Sequence, residues 1–547
     1  MSLLLIGLML SGLLPLQLIA QDAAYDVVIR NGRVLDGAGN PWILADVAIK
    51  DGRFVRVGKV DGKGKREIDA RGKYVSPGWI DMQDQSGGVL PRNGLAESKL
   101  LQGVTTAISG EGGTPVPAEK IAEYFAGLEK SGISLNFGTY YNATQARTAV
   151  VGQDARDPTP EELEKMKGLM ETAMKAGVLG MSTALIYPPA SYSKTPELIE
   201  MAKVAGRHGG FYVSHIRGEG KELIESIDEA ITIGEKGGLP VEIYHLKAAY
   251  QPGWGTLMRQ AGETIEKARS RGLDVAADMY LYTAGGTSLS AVVPSWAADG
   301  GRERMVERLK DPATRARLKN EIKTGSPGWW NIVEAAGGWK QIVLASSGNP
   351  EHKKFANKNI EQIAKEWNKD PADAAFDLIT ESNNRAGALY FMMSDSDVET
   401  ALKFPWISLG SDAAASAQLM DPNTVGSGHP RGYGNFPRVI AEYVRKKKII
   451  TLPEAIRKMT SWPATRLRLA SRGTIKEGNW ADVVIFDYEK IQDNATYEYP
   501  FRLPTGIEHV LVNGQVVVDN GKHTGARPGH ILYGPGRVSG PGLIAQQ

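Results

Sequence analysis

The sequence predicts an α/β protein: a closed (β/α)8 barrel of the TIM type with a small β-sandwich domain built from both chain ends. Two observations predict this architecture. From about residue 77 to 470, apolar strand-like runs alternate with amphipathic helical stretches, the pattern of parallel βα units. Before and after this region, short runs of alternating apolar and polar residues are separated by Asn-Gly and Asp-Gly dipeptides, which suit tight hairpins.

The predicted sandwich combines residues 22–76 with residues 471–532. The stretch "VIRNGRVLDG" near the start of the chain has the same rhythm as "VLVNGQVVVDNG" near its end. One small sandwich assembled from both sets of strands is the simplest account of this repetition. The Gly- and Pro-rich residues 533–547 are predicted to form a flexible tail.

Eight apolar runs are predicted to be the parallel strands of the barrel, which spans residues 77–470. They are residues 79–82, 104–109, 135–140, 178–182, 210–214, 240–244, 273–279 and 407–410. Eight βα units in this order favour a closed barrel over an open sheet. The last two runs lie more than a hundred residues apart, so we expect a helical insertion at about residues 292–352, over the barrel mouth.

Composition excludes several classes of function. The 64 basic and 62 acidic residues give a net charge of +2, so the chain carries no electrostatic footprint for nucleic acid or for an anionic membrane. It contains no cysteine, which excludes disulfides and thiolate metal sites. The expected partner is therefore a small molecule, and the sequence predicts no particular oligomeric state.

The first residues predict export. Residues 3–19 form an apolar run that ends at Ala20, as in a secretory signal peptide covering residues 1–21. No Lys or Arg precedes the run, which leaves a non-cleaved anchor as the alternative, although Gly12 and Pro15 interrupt it. We expect a periplasmic or secreted protein with no stable membrane span once the leader is removed.

Residues that can bind metal follow four of the predicted barrel strands. Glu111 follows the second strand, His215 the fifth, His245 the sixth and Asp412 the eighth. Barrel enzymes carry out their chemistry at the C-terminal ends of their strands, so these side chains are expected to converge. Only eight histidines occur in the chain, and two of them end consecutive strands, which favours shared metal binding over ordinary packing.

Two imidazoles and a carboxylate are typical ligands of a catalytic zinc ion, because they leave one coordination position for water. Glu111, His215 and His245 are therefore the predicted ligands, with zinc as the first choice and another divalent metal as the alternative. Asp412 is the predicted general base that takes the proton of the attacking water. An N-cap role after the strand is the alternative for Asp412.

The chain resembles the D-aminoacylase, or N-acyl-D-amino-acid deacylase, branch of the amidohydrolase superfamily. The resemblance rests on "PGWIDM", "GVTTAISGEGG", "SHIRGEG", "YHLKA", "GSDA" and "HPRGYGNFPRVIAEYVR", in this order over nearly the whole chain. It implies the same fold and metal ligands, and Asp412 as the acid and base of the reaction. It also implies that Lys247 receives the substrate carboxylate and that Tyr187, Tyr282 and Ser288 line the same pocket, with aromatic packing as the alternative for the two tyrosines.

Gln83 and Gln85 depart from the family pattern. Relatives have His-x-His where this chain has Gln83-Asp84-Gln85, and those histidines would hold a second metal ion. A glutamine amide is a far poorer zinc ligand than an imidazole. We therefore expect one zinc ion per chain, with both glutamines in the substrate site as hydrogen-bonding partners of substrate or water.

The resulting hypothesis is a metal-dependent enzyme that hydrolyses the amide bond of an N-acyl amino acid, with D configuration as one possibility, or of a short peptide. A same-fold alternative is a peptidase-like or cyclic-amide hydrolase. A second alternative is a catalytically silent binding protein, since the loss of two histidines is how an enzyme of this kind would begin to decay.

Overall fold

The computed structural model describes residues 23–538. The predicted signal peptide lies outside this range, as do residues 539–547 of the predicted tail. Among the helices of the described part, none is long and apolar enough to cross a membrane.

The strands of the described chain are labelled β1 to β21 in chain order. They are β1 Tyr25–Val34, β2 Ile43–Lys50, β3 Arg53–Gly58, β4 Gly64–Asp69, β5 Tyr74–Pro77, β6 Trp79–Asp84, β7 Val104–Ser109, β8 Asn136–Thr139, β9 Tyr141–Asn142, β10 Gly180–Ala184, β11 Phe211–His215, β12 Val241–Ile243, β13 Val275–Met279, β14 Ala284–Ser288, β15 Ile342–Ser347, β16 Ala386–Phe391, β17 Ile407–Leu409, β18 Val483–Phe486, β19 Ile507–Val512, β20 Gln515–Asp519 and β21 Lys522–His523.

The α-helices of the same part are labelled in the same way. They are α1 Glu97–Leu100, α2 Ile121–Ser131, α3 Ala143–Val150, α4 Pro160–Ala176, α5 Thr195–Arg207, α6 Leu223–Gly237, α7 Leu257–Ser270, α8 Arg302–Arg308, α9 Pro312–Thr324, α10 Ile332–Ala336, α11 Ile360–Trp367, α12 Pro371–Glu381, α13 Asp395–Lys403, α14 Arg431–Arg438, α15 Leu452–Met459 and α16 Ser461–Arg466. A π-helical segment, Val439–Lys446, continues α14.

Both ends of the chain contribute to one nine-stranded sheet. Its order is β21-β20-β19-β18-β5-β1-β2-β3, and β4 pairs with β1. The join is the antiparallel pair β5 and β18, where Val75 lies opposite Ile485. Both side chains are fully buried in the apolar core of this domain. The predicted assembly of one small β-domain from both chain ends is confirmed.

The barrel has the predicted eight parallel positions. In order they are β6, β7, β8 with its continuation β9, β10, β11, β12, β13 and β17. A parallel bridge between Asp84 and Ala413 brings the end of β6 to the residues after β17 and closes the ring. All eight strands are almost entirely buried, as expected for a barrel wrapped in helices. The predicted fold class is confirmed.

The insertion between β13 and β17 is larger than the predicted residues 292–352, and it is not only helical. It begins with β14, ends with β16 and contains a three-stranded antiparallel sheet in the order β14-β16-β15. Helices α8 to α12 pack with this sheet around a separate apolar core. The prediction missed the sheet because β14, "AGGTS", contains two glycines, which weaken any strand signal.

The first residues of the predicted flexible tail are packed on the barrel. Gly534 donates its backbone N–H to the carbonyl of Gly177, and Val538 donates to Lys175 at the end of α4. The Tyr533 ring meets Phe125 edge-on at 5.4 Å between centroids. The tail prediction is therefore wrong for residues 533–538, because backbone hydrogen bonds and a ring contact hold them.

Candidate active site

Three of the predicted residues converge at the C-terminal end of the barrel. Glu111 follows β7, His215 ends β11, and His245 lies two residues after β12. One oxygen of Glu111, Oε1, lies 2.8 Å from Nδ1 of His215 and 3.5 Å from Nε2 of His245. All three side chains are buried, and the two imidazole centroids are 4.4 Å apart.

These residues fit a divalent metal ion. One ligand atom from each of the three lies within 4.8 Å of the others. Nδ1 of His215 and Nε2 of His245 both face the same carboxylate oxygen of Glu111, so each imidazole presents one nitrogen toward a shared ion. Two imidazoles with one carboxylate are a donor set that suits zinc and leaves a position open.

A second carboxylate, that of Glu219, contacts both histidines of this cluster. Oε1 of Glu219 lies 3.2 Å from Nδ1 of His245 and 3.7 Å from Nε2 of His215. A carboxylate at the outer nitrogen of a metal-binding histidine fixes the orientation of the ring. Burial alone would raise the pKa of Glu219, but the positive charges of Lys247 and the two histidines hold that pKa well below its usual value.

The same balance applies to Glu111. Its burial favours the neutral acid, yet hydrogen bonds from His215 and His245 hold the pKa of Glu111 well below its ordinary range. Both carboxylates of the cluster are therefore anionic at neutral pH. Glu111 therefore supplies a charged carboxylate, and the two imidazoles would bind a divalent cation in their neutral form.

Lys247 lies beside the two histidines and pairs with a carboxylate of the protein. Its ammonium lies 2.5 Å from Glu219 Oε1 and 2.7 Å from Nδ1 of His245, and the residue is 6% exposed. These contacts arise because the chain turns after β12, where His245 has a φ of 35°. In the described structure the charge of Lys247 is paired with Glu219, and its contact with a substrate carboxylate stays a prediction.

Both glutamines contact Glu111. Nε2 of Gln83 donates to Glu111 Oε2 over 2.7 Å, and Nε2 of Gln85 donates to the same oxygen over 2.6 Å. The Gln85 amide also lies 3.3 Å from Oδ1 of Asp412. The structure thus places both residues in the site, but as partners of a carboxylate, which differs from the expected contact with substrate or water.

Asp412 lies beside the cluster and pairs with an arginine that the strand-end argument did not select. Its Oδ2 is 2.8 Å from Nη1 of Arg431, the first residue of α14. Burial raises the pKa of Asp412, the positive charge of Arg431 acts against that rise, and the charge of Glu111 adds to it. A carboxylate with a raised pKa is suited to accept a proton near neutral pH.

Tyr187 and Ser288 line the same cavity of about 200 Å³, and their contact with substrate stays a prediction. The Tyr187 ring meets the His215 ring edge-on at 5.2 Å. Tyr282 does not line this cavity, and its ring packs against His429 at 5.5 Å between centroids. These ring contacts fit the packing alternative for Tyr282, and its place in the substrate pocket stays a prediction.

The tyrosine that faces the site is two residues earlier in the chain. Tyr280 lies 6.3 Å from the His245 ring, and the Arg431 guanidinium lies 4.6 Å from its ring centroid. Tyr280 and Tyr282 both follow β13 in "DMYLYTAGG", and nothing in that local pattern distinguishes them. Arg431 lies in the family motif "HPRGYGNFPR", which is the sequence signal for it.

Comparison with known proteins decides the family. The chain is 30% identical to the D-aminoacylase of Alcaligenes xylosoxydans xylosoxydans over 530 residues, which cover 93% of this chain and 97% of that protein. The chain belongs to the amidohydrolase family, in its D-aminoacylase branch. It is also 30% identical to the N-acyl-D-glutamate deacylase of the same organism, over 94% of this chain and 98% of that protein. Residues 357–518 match the model of the amidohydrolase family.

Solved amidohydrolase structures agree with this assignment. One solved D-aminoacylase structure matches this chain with a TM-score of 0.78 at 29% identity, over 93% of this chain and all of that one. It was described for the role of a binuclear metal centre in that enzyme, with one-metal activation and second-metal attenuation. The N-acyl-D-glutamate deacylase of Bordetella bronchiseptica, solved with zinc and a phosphonate inhibitor, has a TM-score of 0.76 at 29% identity, over 93% and 99% of the two chains. This family member is accordingly a metal-dependent amidohydrolase.

Proposed function

We propose that this amidohydrolase cleaves the amide bond of N-acyl D-amino acids with a single zinc ion held by Glu111, His215 and His245. The observation that carries the proposal is the convergence of these three buried residues, with Asp412 beside them, at the C-terminal end of the barrel. The relatives named as D-aminoacylase and N-acyl-D-glutamate deacylase support the substrate class.

The protein residues divide the work of amide hydrolysis. A divalent ion at this site, when bound, lowers the pKa of a water molecule and polarises the amide carbonyl. Asp412 accepts the proton of the attacking water and returns it to the leaving nitrogen, as its raised pKa allows. Arg431 holds the Asp412 carboxylate by an ion pair at 2.8 Å. The buried Arg431 guanidinium is also a cation in reach of the cavity that contains Asp412, and so suits the substrate carboxylate.

The single-metal part of the proposal rests on Gln83 and Gln85. Both amides donate to Oε2 of Glu111, the oxygen that faces away from the two histidines. In place of a second cation the chain therefore offers two neutral N–H donors to this oxygen. Amide nitrogens are not zinc ligands, and a second ion could bind here only after these hydrogen bonds were broken.

The rival hypotheses lack a supporting observation of their own. A D-hydantoinase structure shares the fold with this chain at 16% identity, and identity this low does not support a shared substrate. A catalytically silent binding protein would not need Asp412 paired with Arg431 beside three complete metal ligands. The complete constellation favours the active enzyme.

Metal analysis and a substrate panel test the proposal together. The panel contains N-acetyl D- and L-amino acids, short peptides and a cyclic amide. We expect turnover of N-acyl D-amino acids, about one metal ion per chain, and loss of both in His245→Ala. His352→Ala is the matched control, because His352 is equally buried at 2% exposure but lies in the insertion. Absence of metal and of turnover in the wild type would establish the silent barrel instead.

We also propose that the protein is exported to the periplasm or secreted. The support is the apolar run of residues 3–19 followed by Ala20. Cell fractionation with N-terminal sequencing is the test: a mature chain that begins near residue 21 outside the cytoplasm supports export, and an intact chain in the cytoplasm contradicts it.

A further inference from the structure

Asp412 itself has a strained backbone conformation. Asp412 has a φ of 47°, in the left-handed region that few non-glycine residues adopt. Its neighbours Ser411 and Ala413 complete a short segment after β17, called here the strand-eight loop (residues 411–413). A backbone conformation of this kind persists only where the surroundings hold it in place.

The holding group is the ammonium of Lys99, which comes from helix α1. Its Nζ donates to Oγ of Ser411 over 2.6 Å and to the carbonyl of Ala413 over 2.7 Å. One ammonium therefore binds the residues directly before and after Asp412. The side chain of Lys99 is fully buried. Lys99 makes no contact with the metal ligands in the described structure.

Two aspartates of the first barrel strand anchor the lysine. Nζ of Lys99 lies 2.8 Å from Oδ2 of Asp81 and 3.0 Å from Oδ1 of Asp84, and both carboxylates are fully buried. Asp81 also accepts the backbone N–H of Ser411 over 2.8 Å and its hydroxyl over 2.6 Å. Burial works against the charged lysine, but the attraction of Asp81 and Asp84 raises the pKa of Lys99, so the ammonium remains charged.

We propose that Lys99 is a positioning residue that fixes the strand-eight loop, and with it the Asp412 carboxylate, for proton transfer. The inference rests on the proposed role of Asp412 as the base. Strand β6 supplies both anchoring aspartates and Gln83, and Gln85 follows the strand directly. One buried network therefore connects Asp412 with the metal ligands. A misplacement of about 1 Å at a reacting group costs roughly 100-fold in rate.

Lys99→Met is the direct test. We expect wild-type metal content and a KM within about threefold of the wild type, because ligands and pocket are untouched, with kcat lower by about 100-fold. Ser411→Ala is the gentler variant: it removes one hydroxyl and leaves the buried charges paired, and we expect kcat to fall about tenfold. Should Lys99→Met fail to fold, Ser411→Ala decides the question.

Lys458→Met is the matched control. Lys458 is also a fully buried lysine, but it donates to the carbonyl of Phe404, before β17 and therefore at the opposite end of that strand. We expect it to keep wild-type kcat. If kcat of Lys458→Met fell as far as kcat of Lys99→Met, the effect of Lys99 would be general structural support and the proposal would be wrong. Unchanged kcat in both Lys99→Met and Ser411→Ala would also overturn it.

A readout without substrate separates this inference from the proposed function. Crystal structures of the wild type and of Lys99→Met, or of Ser411→Ala, should show the Asp412 carboxylate displaced from Arg431 and Gln85 in the variant. An unmoved Asp412 would refute the positioning role. Absence of N-acyl D-amino acid turnover in the wild type would instead refute the proposed function and leave this structural result standing.

Discussion

Gln83 and Gln85 satisfy one oxygen of Glu111 with neutral N–H groups. Both hydrogen bonds are short, at 2.7 and 2.6 Å, and both end on Oε2. The other oxygen, Oε1, remains directed at the two histidines. The carboxylate is thereby oriented without a second cation, and the substitution of His-x-His is compatible with catalysis by one metal ion.

Restoring the histidines should therefore restore a second metal position. In Gln83→His/Gln85→His we expect the metal content to rise from about one to about two ions per chain, because imidazole is a good zinc ligand and an amide is not. Metal analysis after dialysis is the measurement, with Gln85→His alone as the control. A double variant that still holds one ion would contradict the explanation.

Asp412 can be tested without disturbing the metal ligands. Asp412→Asn keeps the shape of the side chain and its place beside Gln85 but cannot accept a proton. We expect kcat to fall by roughly 10²- to 10⁴-fold, with metal content unchanged. Steady-state kinetics with the best substrate of the panel is the measurement, and a kcat within tenfold of the wild type would exclude Asp412 as the base.

The sequence located the residues that follow barrel strands, and it failed where position depends on loops. Glu111, His215 and His245 could be predicted because parallel strands bring their C-terminal ends to one face. Arg431 comes from α14, after a long loop, so no strand pattern places it beside Asp412. The pairing of Lys247 with Glu219 depends on the turn after β12, which is equally invisible to a strand pattern.

At the scale of elements, the regular βα units were predictable and the insertion was not. The barrel strands are almost entirely buried, and the apolar residues that burial favours are the local signal for them. The insertion strands β15 and β16 are joined by antiparallel pairing, with Leu344 opposite Ala388, across more than forty intervening residues. Pairing over that distance is set by tertiary packing, which local periodicity does not report.

Helix α15 contains a buried lysine whose titration should be visible in protein stability. Burial lowers the pKa of Lys458 from 10.5 to about 8, and nearby Glu454 only partly opposes this. Between these pH values the unfolded chain holds a proton that the folded protein does not. Stability should therefore rise with pH across this window, by at most about 1.4 kcal/mol per pH unit from this group.

The variant Lys458→Met lacks this contribution. We expect the difference in melting temperature, wild type minus variant, to increase between pH 8 and pH 10 and to stay constant below about pH 7. Thermal unfolding of both proteins at one scan rate measures it, and groups common to both cancel in the difference. An equal difference at every pH would contradict a lowered lysine pKa.

At the scale of the whole molecule, the strands before the barrel and the strands after it form one domain. Strand β5 leads directly into the first barrel strand, and it pairs with β18, which follows the barrel. Val75 of β5 and Ile485 of β18 are fully buried against this sheet, and each becomes exposed if the strand of the other is removed. The barrel and the small domain should therefore not be separable by simple truncation.

A chain that ends at residue 470 tests this coupling. We expect it to be insoluble or unfolded, because it exposes the β5 edge and the apolar core of the small domain. A chain that ends at residue 538 is the control and should fold. Circular dichroism and size-exclusion chromatography provide the readout, and a soluble, folded barrel from the shorter chain would contradict the prediction.

The most direct measurement is anomalous X-ray diffraction at the zinc edge from crystals of the zinc-loaded protein. Our account predicts one strong peak per chain, within bonding distance of Glu111, His215 and His245, and none between the glutamine amides and Asp412. A peak at the glutamines, or no peak at the three ligands, would contradict it.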